Sequence, residues 1–579
     1  MNPQTIYRYA LLIGLGISMY LLLQAWNQDY GQKNGSSQDP DAPPMEFPGE
    51  VPGEGQDPVS DGNTSVTPTV QESTNSDGDF VPGSSLVRQG SSESALRLDD
   101  SALVKVTTPS MHVWIDRNGG DVVRVRLPEH PVSLDDPDEP LTILDRSLSH
   151  VYVAQSGLVG RDGPDAGGAR PKYSAPRDEY QLDSGDLTVK LTHQADTYRV
   201  EKWFLFNAES NLINVEHHVV NQSNDPFVAN LYAQLTRDGL PVSETSGFFG
   251  PRPYLGGALT TPDDRYKKVS FEDLDEQRFS QENNGGWIAI LQHYFLSAWA
   301  ASDDASYLYY GLRDSKGYYR YGFTGPEIAV PAGETGIYPL KLYVGPKDQG
   351  DLEEISEHLN LTVDYGWLWW LSMPLFYLLE LCQSLVVNWG LAIILLTIVV
   401  KAVLYPLSAM SYKSMAKMRV VAPQMKRIQE RFGTDRQRLS QEMMSLYKKE
   451  GVNPLLGCLP MLAQLPVFIA LYWVLYESVE LRQAPFVFWI QDLSAMDPFF
   501  VLPLLMGATM FLMQMLNPPM PDPMQQKIMK FMPIAFTILF VFFPSGLVLY
   551  WLINNVLSFA QQYFTTKSIE KASAAKKSS

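Results

Sequence analysis

The sequence predicts a polytopic α-helical membrane protein that carries a large extracytoplasmic antiparallel β domain. Three observations lead to this prediction. Long apolar stretches occur before residue 27 and after residue 365, apolar and polar residues alternate between about 96 and 346, and a strongly basic segment separates two of the apolar stretches. Because 579 residues exceed what one compact core accommodates, we expect at least two domains.

The N-terminal region predicts a membrane anchor and a tether. Residues 6–26 form an apolar run long enough to cross a bilayer as a helix, and no small-x-small cleavage pattern follows it. This favours an uncleaved transmembrane anchor at 1–27 over a signal peptide. Residues 28–95 are rich in Gly, Pro, Ser, Asp and Glu and have few large apolar side chains, so they are predicted to be a disordered linker.

Residues 96–362 are predicted to form the β domain. Strand patterns separated by turn-forming residues recur there, such as DVVRVRL, TYRVEKWFLF and FVANLYAQL. So many strands with almost no helical pattern favour a sandwich, and DQGDLEEISEHLN at 348–360 predicts a closing helix. The cysteines, Cys382 and Cys458, lie after this domain, so it has no disulfide framework.

The C-terminal region, residues 388–566, is predicted to be a membrane domain with five spans. Three apolar stretches lie at about 389–409, 456–476 and 499–516, and a longer one lies at 529–564. The sequence Pro-Ser-Gly at 544–546 interrupts the last stretch and predicts two spans, 529–543 and 547–564, joined by a tight turn. With the anchor, the chain would cross the bilayer six times.

Lysine and arginine counts predict the topology. Residues 411–455 contain ten basic side chains and residues 567–579 form a basic tail, so both are placed in the cytoplasm. Only one crossing can then separate the β domain from the basic segment. Residues 363–387, which are rich in Trp and contain Pro374, are therefore predicted to lie in the membrane interface as an amphipathic helix.

The basic segment 411–455 is predicted to be a cytoplasmic hairpin of two helices. Val421 and Met425 belong to an apolar stripe on the first helix, Leu439 and Met443 to one on the second, and a turn is expected at 433–435. Its basic side chains are candidates for binding anionic lipid, a ribosome or a targeting factor. Those on the first helix are Lys413, Lys417, Arg419, Lys426, Arg427 and Arg431.

Lys401 is the strongest candidate for a functional residue, because a charge inside a span is costly and usually faces protein or water. Snorkelling to the headgroups is the alternative explanation. Thr397 lies one turn earlier on the same helical face. A polar cavity around one positive charge is therefore predicted, and other spans offer these polar groups to it: Gln464, Thr509, Gln514, Thr537, Trp551, Asn554, Asn555 and Ser558.

Several classes of function are disfavoured. The spans contain no Asp or Glu before Glu477, which argues against a proton-coupled transporter. No phosphate-binding glycine loop, His-Glu-x-x-His sequence or nucleophile elbow occurs, so we predict no enzymatic activity, cofactor or metal site. The net charge of -19 argues against specific nucleic-acid recognition. Two alternative functions remain open, a secondary transporter and an envelope assembly scaffold.

Short motifs throughout the C-terminal region resemble the YidC/Oxa/Alb family of membrane protein insertases. They are SMAKMR at 414–419, SQEMM at 440–444, VNPLLGC at 452–458, VELRQAPF at 479–486, DPMQQKIM at 522–529 and FPSGLVLYW at 543–551. The anchor and the large β domain match the Gram-negative form of the family. The resemblance implies a chaperone that inserts, folds and assembles inner-membrane proteins, both alone and with the Sec translocon and its accessory subunits.

The resemblance also implies a site. The family's groove is open to cytoplasm and lipid and contains a positive residue, which here is Lys401 in a place where arginine is frequent. Thr397 and Trp551 match groove positions. A hydrophobic slide between the third and fifth spans is matched by Leu465, Phe468, Met506 and Phe540. The β domain would be a periplasmic supersandwich like that of galactose mutarotase, and the C-terminus would be cytoplasmic.

Overall fold

The computed structural model describes residues 102–578, with gaps at 148, 168, 241–252, 434, 452–458 and 517–522. The predicted anchor and linker therefore lie outside the described residues. The described chain begins with a strand-rich part, which forms the β domain and ends at residue 346, and continues mainly as helices.

Eighteen strands are described in the β domain, and they form two sheets. Their bounds are β1 (Leu103–Thr107), β2 (His112–Asp116), β3 (Asp121–Pro131), β4 (Pro140–Arg146), β5 (Val151–Val159), β6 (Glu179–Gln181), β7 (Asp186–Gln194), β8 (Tyr198–Asn207), β9 (Leu212–Asn221), β10 (Phe227–Arg237), β11 (Gly256–Leu259), β12 (Lys267–Ser270), β13 (Phe279–Asn284), β14 (Trp287–Leu291), β15 (Phe295–Ala300), β16 (Ser306–Arg313), β17 (Tyr319–Val330) and β18 (Thr335–Pro346).

The two sheets confirm the predicted sandwich. One has ten strands in the order β13-β16-β17-β10-β5-β4-β3-β2-β1-β6, and the other has eight in the order β12-β11-β14-β15-β18-β9-β8-β7. Side chains alternate between faces along a strand, so that Val200, Phe204 and Phe206 of β8 all point into the apolar core. The predicted strand patterns DVVRVRL, TYRVEKWFLF and FVANLYAQL belong to β3, β8 and β10, respectively.

A cluster of charged side chains that was not predicted from the sequence is buried in the β domain. Arg170 pairs with Asp121 and Asp165. Lys202 belongs to β8 and is fully buried beside them. Its Nζ donates to three backbone oxygens, those of Gly119 at 2.9 Å, Gly120 at 3.0 Å and Ser156 at 2.8 Å. Burial lowers the pKa of Lys202 to about 7, although the carboxylate of Asp121 opposes the shift.

Ten helices are described. They are α1 (Phe271–Glu276), α2 (Gln349–Ile355), α3 (Trp369–Val386), α4 (Trp389–Val403), α5 (Tyr405–Phe432), α6 (Arg436–Lys449), α7 (Leu459–Glu477), α8 (Val501–Leu516), α9 (Pro523–Phe540) and α10 (Ser545–Ser578). The closing helix α2 is shorter than predicted, because the backbone is extended at Ser356 and left-handed at His358.

The C-terminal helices follow the predicted spans with shifted ends. α4 ends at Val403 rather than 409, because the chain bends after Leu404 and Pro406 lies in the first turn of α5. α10 continues past 564 to Ser578, since no Pro or Gly interrupts it there. The turn predicted at 544–546 does separate α9 from α10.

Within the described residues no single helix reaches both the length and the hydropathy of a membrane span. The pair α4 and α5 reaches them together, with a bend of 68° between its members.

Direct contacts join the β domain to the helices. Glu477 is the last residue of α7, and its Oε2 atom lies 3.7 Å from Nζ of Lys347, which follows β18. Arg482 and Gln483, shortly after α7, both donate to the backbone oxygen of Pro131 in β3, at 2.7 and 3.0 Å. The chain between α7 and α8 therefore marks the end of the helical domain that faces the β domain.

Candidate substrate groove

Lys401 lies near the end of α4, one turn before the bend. Asn388 caps the N-terminus of the apolar helix α4, because its side chain accepts a hydrogen bond from Leu391 N at 3.0 Å. The half-buried ammonium of Lys401 donates to Ser558 Oγ on α10 at 2.6 Å. No carboxylate of the described residues forms an ion pair with it. The structure therefore holds this cation between two helices through a single neutral hydroxyl group.

Polar side chains of α10 continue from Ser558 toward α7. Ser558 Oγ donates to the backbone oxygen of Asn554 at 2.7 Å, and both residues are buried on one face of α10. The side-chain oxygen of Asn554 accepts a hydrogen bond from Gln464 Nε2 on α7. The structure thus brings together the predicted residues Lys401, Gln464 and Asn554, and Ser558 links the first of them to the last.

Three more polar groups lie close to this chain of contacts. The hydroxyl group of Thr397 donates to Ile393 O of its own helix at 2.6 Å, so its side chain is satisfied locally. By contrast, Trp551 Nε1 and Asn555 Nδ2 are buried without a hydrogen-bond partner among the described residues. An unpaired buried donor costs free energy, and a ligand that offers an acceptor removes this cost.

The predicted hydrophobic slide is only partly exposed. The ring of Phe468 on α7 lies 4.5 Å from the ring of Trp551, and Leu465 one turn earlier is 43% exposed. Met506 and Phe540 are buried at 0% and 3%, so they belong to the helix-packing core rather than to an accessible path. The reason is the close approach of α8 to α9 at Gly507, where a Cβ atom would collide with Thr537.

Apolar side chains pack together at the end of the helices that faces the β domain. Ile393, Leu493 and Leu547 are buried there at 0%, 1% and 1%. Two backbone hydrogen bonds hold this packing in place, because Ser545 N donates to Ala495 O at 2.7 Å and Gly546 N donates to Leu493 O at 2.9 Å. The polar groups near Lys401 therefore have an apolar floor.

Two helices, α5 and α6, occupy the segment that the sequence predicts to be a hairpin. α5 and α6 pack together through a small core of their own, formed by Val421, Met425, Met443 and Leu446. Gly433 ends α5, and Asp435 caps α6 by accepting from Arg438 N at 3.0 Å. Most of the candidate basic residues are exposed, namely Lys413, Lys417, Lys426, Arg427 and Arg431, and Arg419 is half-buried.

Comparison with known proteins gives a consistent result for both parts of the chain. A family model described as 60Kd inner membrane protein matches residues 381–572, and one described as YidC periplasmic domain matches residues 103–378. A curated protein named membrane protein insertase YidC from Azotobacter vinelandii is 46% identical over 98% of this chain and 99% of its own length. Its namesake from Stutzerimonas stutzeri is 47% identical with the same coverage. The one from Saccharophagus degradans is 51% identical over 81% of this chain and 84% of its own.

Solved structures resemble the chain more distantly. An active YidC insertase crystal structure with its first transmembrane domain resolved covers 84% of this chain and 95% of its own, at 16% identity and a TM-score of 0.37. A galactose mutarotase related enzyme from Lactobacillus acidophilus covers 42% of this chain and 97% of its own, at 12% identity and a TM-score of 0.29.

Proposed function

The chain belongs to the YidC family of membrane protein insertases, and from this premise we propose how it inserts, folds and helps assemble other proteins of the bacterial inner membrane. One observation supports the mechanism above all others. The ammonium of Lys401 is half-buried, and among the described residues a single hydroxyl group, that of Ser558, holds it. An ammonium group has three donors, so this cation can still attract an acidic or polar group of an incoming segment.

In the first step the polar flank of a client segment enters the groove from the cytoplasm. Lys401 attracts its charge, and the free donors of Trp551 and Asn555 bind its acceptors. The amide pair of Gln464 and Asn554 offers further exchangeable hydrogen bonds. Because polar groups are held below the lipid headgroups in this way, the client has less hydrocarbon to cross.

In the second step the apolar part of the client passes into lipid along α7. Leu465 and Phe468 are the accessible slide residues, and their contacts are apolar and undirected. Burial of client surface at about 25 cal/mol per Å² supplies the free energy, so the step needs no nucleotide hydrolysis. Movement of α8 away from α9 would be required before Met506 could touch a client.

Substitutions of Lys401 test the proposal in reconstituted vesicles. With a client that has an acidic flank, Lys401→Ala should reduce insertion about tenfold, equivalent to about 1.4 kcal/mol. Lys401→Arg should insert normally because the charge is kept. A client with a neutral flank should respond much less. Lys530→Ala, which removes an exposed lysine from α9, is the matched control.

Equal insertion by Lys401→Ala, Lys401→Arg and the unmodified protein would contradict the role of the charge. It would leave the family assignment intact, since that rests on the whole sequence. Crosslinking from positions 401 and 468 to a stalled nascent chain provides an independent readout of the path.

The proposal includes six membrane crossings, with the β domain in the periplasm, α3 in the interface and the basic tail in the cytoplasm. The basic hairpin and the contacts between the β domain and the opposite end of the helices support it. Cysteines placed at Lys426 and Asp196 should react with an impermeant reagent from opposite sides of inverted vesicles. Labelling of both from one side would exclude this topology.

We further propose that the basic face of α5 recruits partners. Exposed Lys426, Arg427 and Arg431 suit the phosphates of a ribosome or of anionic lipid, while the Sec translocon and its accessory subunits are proposed partners of the periplasmic and membrane domains. Reversal of these three charges should weaken ribosome binding and vesicle binding in a salt-dependent way. Loss of only one of the two interactions identifies the partner.

A further inference from the structure

The loop between α7 and α8 displays an unusual amount of apolar surface. Within residues 485–500, here termed the aromatic loop, Phe488 is 83% exposed, Phe499 is 64% exposed and Phe500 is 46% exposed. Val487 and Met496 are each 41% exposed beside them. Soluble surfaces rarely group large apolar side chains in this way, so the loop has the composition of a contact surface.

The exposed rings belong to an ordered loop. The buried carboxylate of Asp497 accepts hydrogen bonds from Trp489 Nε1 at 2.9 Å and from the backbone nitrogens of Phe499 and Leu502 at 3.0 and 2.7 Å. The last of these bonds also places a negative charge at the start of α8. The rings are therefore held outward by a fixed framework.

The backbone at two of these rings is strained. Phe488 and Phe500 have φ angles of 56° and 57°, in the left-handed region that bulky residues rarely adopt. Such conformations cost about 1–2 kcal/mol each and persist where the surroundings impose them. Two exposed aromatic residues of this one loop adopt such a conformation.

Charge and position identify the kind of partner. Residues 484–500 contain no Lys or Arg, and the two acids, Asp492 and Asp497, are engaged within the loop. The aromatic loop follows Arg482 and Gln483, which bind the β domain, so it lies at the same end of the helices. An aromatic surface without basic side chains at the end of membrane helices fits the boundary between headgroups and acyl chains.

The loop is also continuous with a second apolar surface. Asn388, directly after α3, donates from Nδ2 to Pro485 O at 3.1 Å and to Phe486 O at 3.2 Å. The adjacent Val387 is 82% exposed. A stripe of exposed apolar side chains runs along α3 to this point, formed by Trp370, Tyr377, Leu381 and Leu385.

We propose that the aromatic loop inserts Phe488, Phe499 and Phe500 into the outer leaflet of the membrane, where lipid covers them. The loop and α3 then form one lipid-embedded edge around the apolar floor of the groove. This edge anchors the floor of the groove at a fixed depth, since Leu493 and Ala495 of the same loop bond to the start of α10.

The test uses single cysteines with a fluorescent label in the full-length protein. The substitutions Cys382→Ala and Cys458→Ala remove the native thiols. A single cysteine is then introduced as Phe488→Cys or Phe500→Cys and labelled with bimane. The labelled protein is reconstituted in vesicles of phosphatidylethanolamine and phosphatidylglycerol. A lipid with a nitroxide near its headgroup should quench about half of the emission at either site. Asp196→Cys, in the exposed turn between β7 and β8, should show no lipid quenching and full quenching by aqueous iodide.

Two outcomes would overturn the proposal. Iodide quenching at 488 and 500 as strong as at 196, without nitroxide quenching, would show that the rings face water and await a protein partner. Protection from both quenchers would show that another part of this protein or a second copy covers them. A thermal melt within about 2 °C of the unlabelled background confirms that each variant is folded.

Discussion

The β domain and the helical domain each bury a lysine, and they treat its charge in opposite ways. Lys202 is fully buried, and three backbone oxygens use all the donors of its ammonium group. Lys401 is half-buried and has one hydroxyl partner, Ser558. The first charge is locked into fixed dipoles, whereas the second keeps donors for something else. Unused hydrogen-bonding capacity therefore separates a binding group from a structural one.

The surroundings of the two lysines differ in the same sense. In the β domain, the carboxylates of Asp121 and Asp165 offset the positive charges of Arg170 and of Lys202 beside it. Near Lys401 the neighbouring groups are hydroxyls and amides, which respond to a new charge without neutralising it. Substitutions of Arg170, Lys202 and Lys401 test this contrast.

Arg170→Met should destabilise the β domain by about 5 kcal/mol, because it leaves Asp121 and Asp165 buried without their partner. The measurement is the midpoint of thermal unfolding of the full-length protein. Lys172→Ala, a nearby exposed cation, is the control and should change little. A small effect of Arg170→Met would mean that the cluster relaxes and that its charges are not locked.

Lys202→Met should alter the pH dependence of stability. The pKa of Lys202 is lowered from 10.5 to about 7 in the folded state, so the unfolded state binds more protons between these values. The free energy of unfolding should therefore rise with pH in this window by about 1 kcal/mol per unit, and Lys202→Met should remove this rise. Identical pH profiles for the variant and the unmodified protein would contradict the lowered pKa.

Lys401→Met should change the free energy of unfolding by less than about 1 kcal/mol, since one hydrogen bond to Ser558 is lost. Thermal unfolding of the reconstituted protein measures this effect, and Lys202→Met in the same assay provides the contrast. A loss of several kcal/mol at Lys401 would place it with the structural charges and would weaken its proposed role in client binding.

Much of the fold could be predicted from the sequence, because burial on one face produces a pattern. β3 and β8 alternate between buried and more exposed side chains, and both were predicted. β10 was predicted too, although it alternates only from Phe227 to Leu231. The early end of α4 was missed, although Pro406 provided a usable signal for a break.

The polar part of the proposed groove could be predicted because its side chains are unusual in a membrane span. Lys401 was conspicuous because charges are rare in spans, and Gln464 and Asn554 were found by the same reasoning. The burial of Met506 and Phe540 depends on how closely α8 approaches α9, which composition does not encode. The burial of Lys202 could have been predicted, since the alternation of β8 directs this lysine inward with Val200 and Phe204.

The hairpin has a mechanical consequence that follows from its separate core. α5 is 28 residues long, about 42 Å, and it begins immediately after the bend beyond Lys401. Ser408, Ser411 and Tyr412 at its base are buried in the helical domain, whereas Val421 and Met425 pack only with α6 in their own cluster. The helix is thus a lever whose short arm lies beside the groove. A load applied by a docked partner at its far end would act as a torque at Leu404, next to the cation.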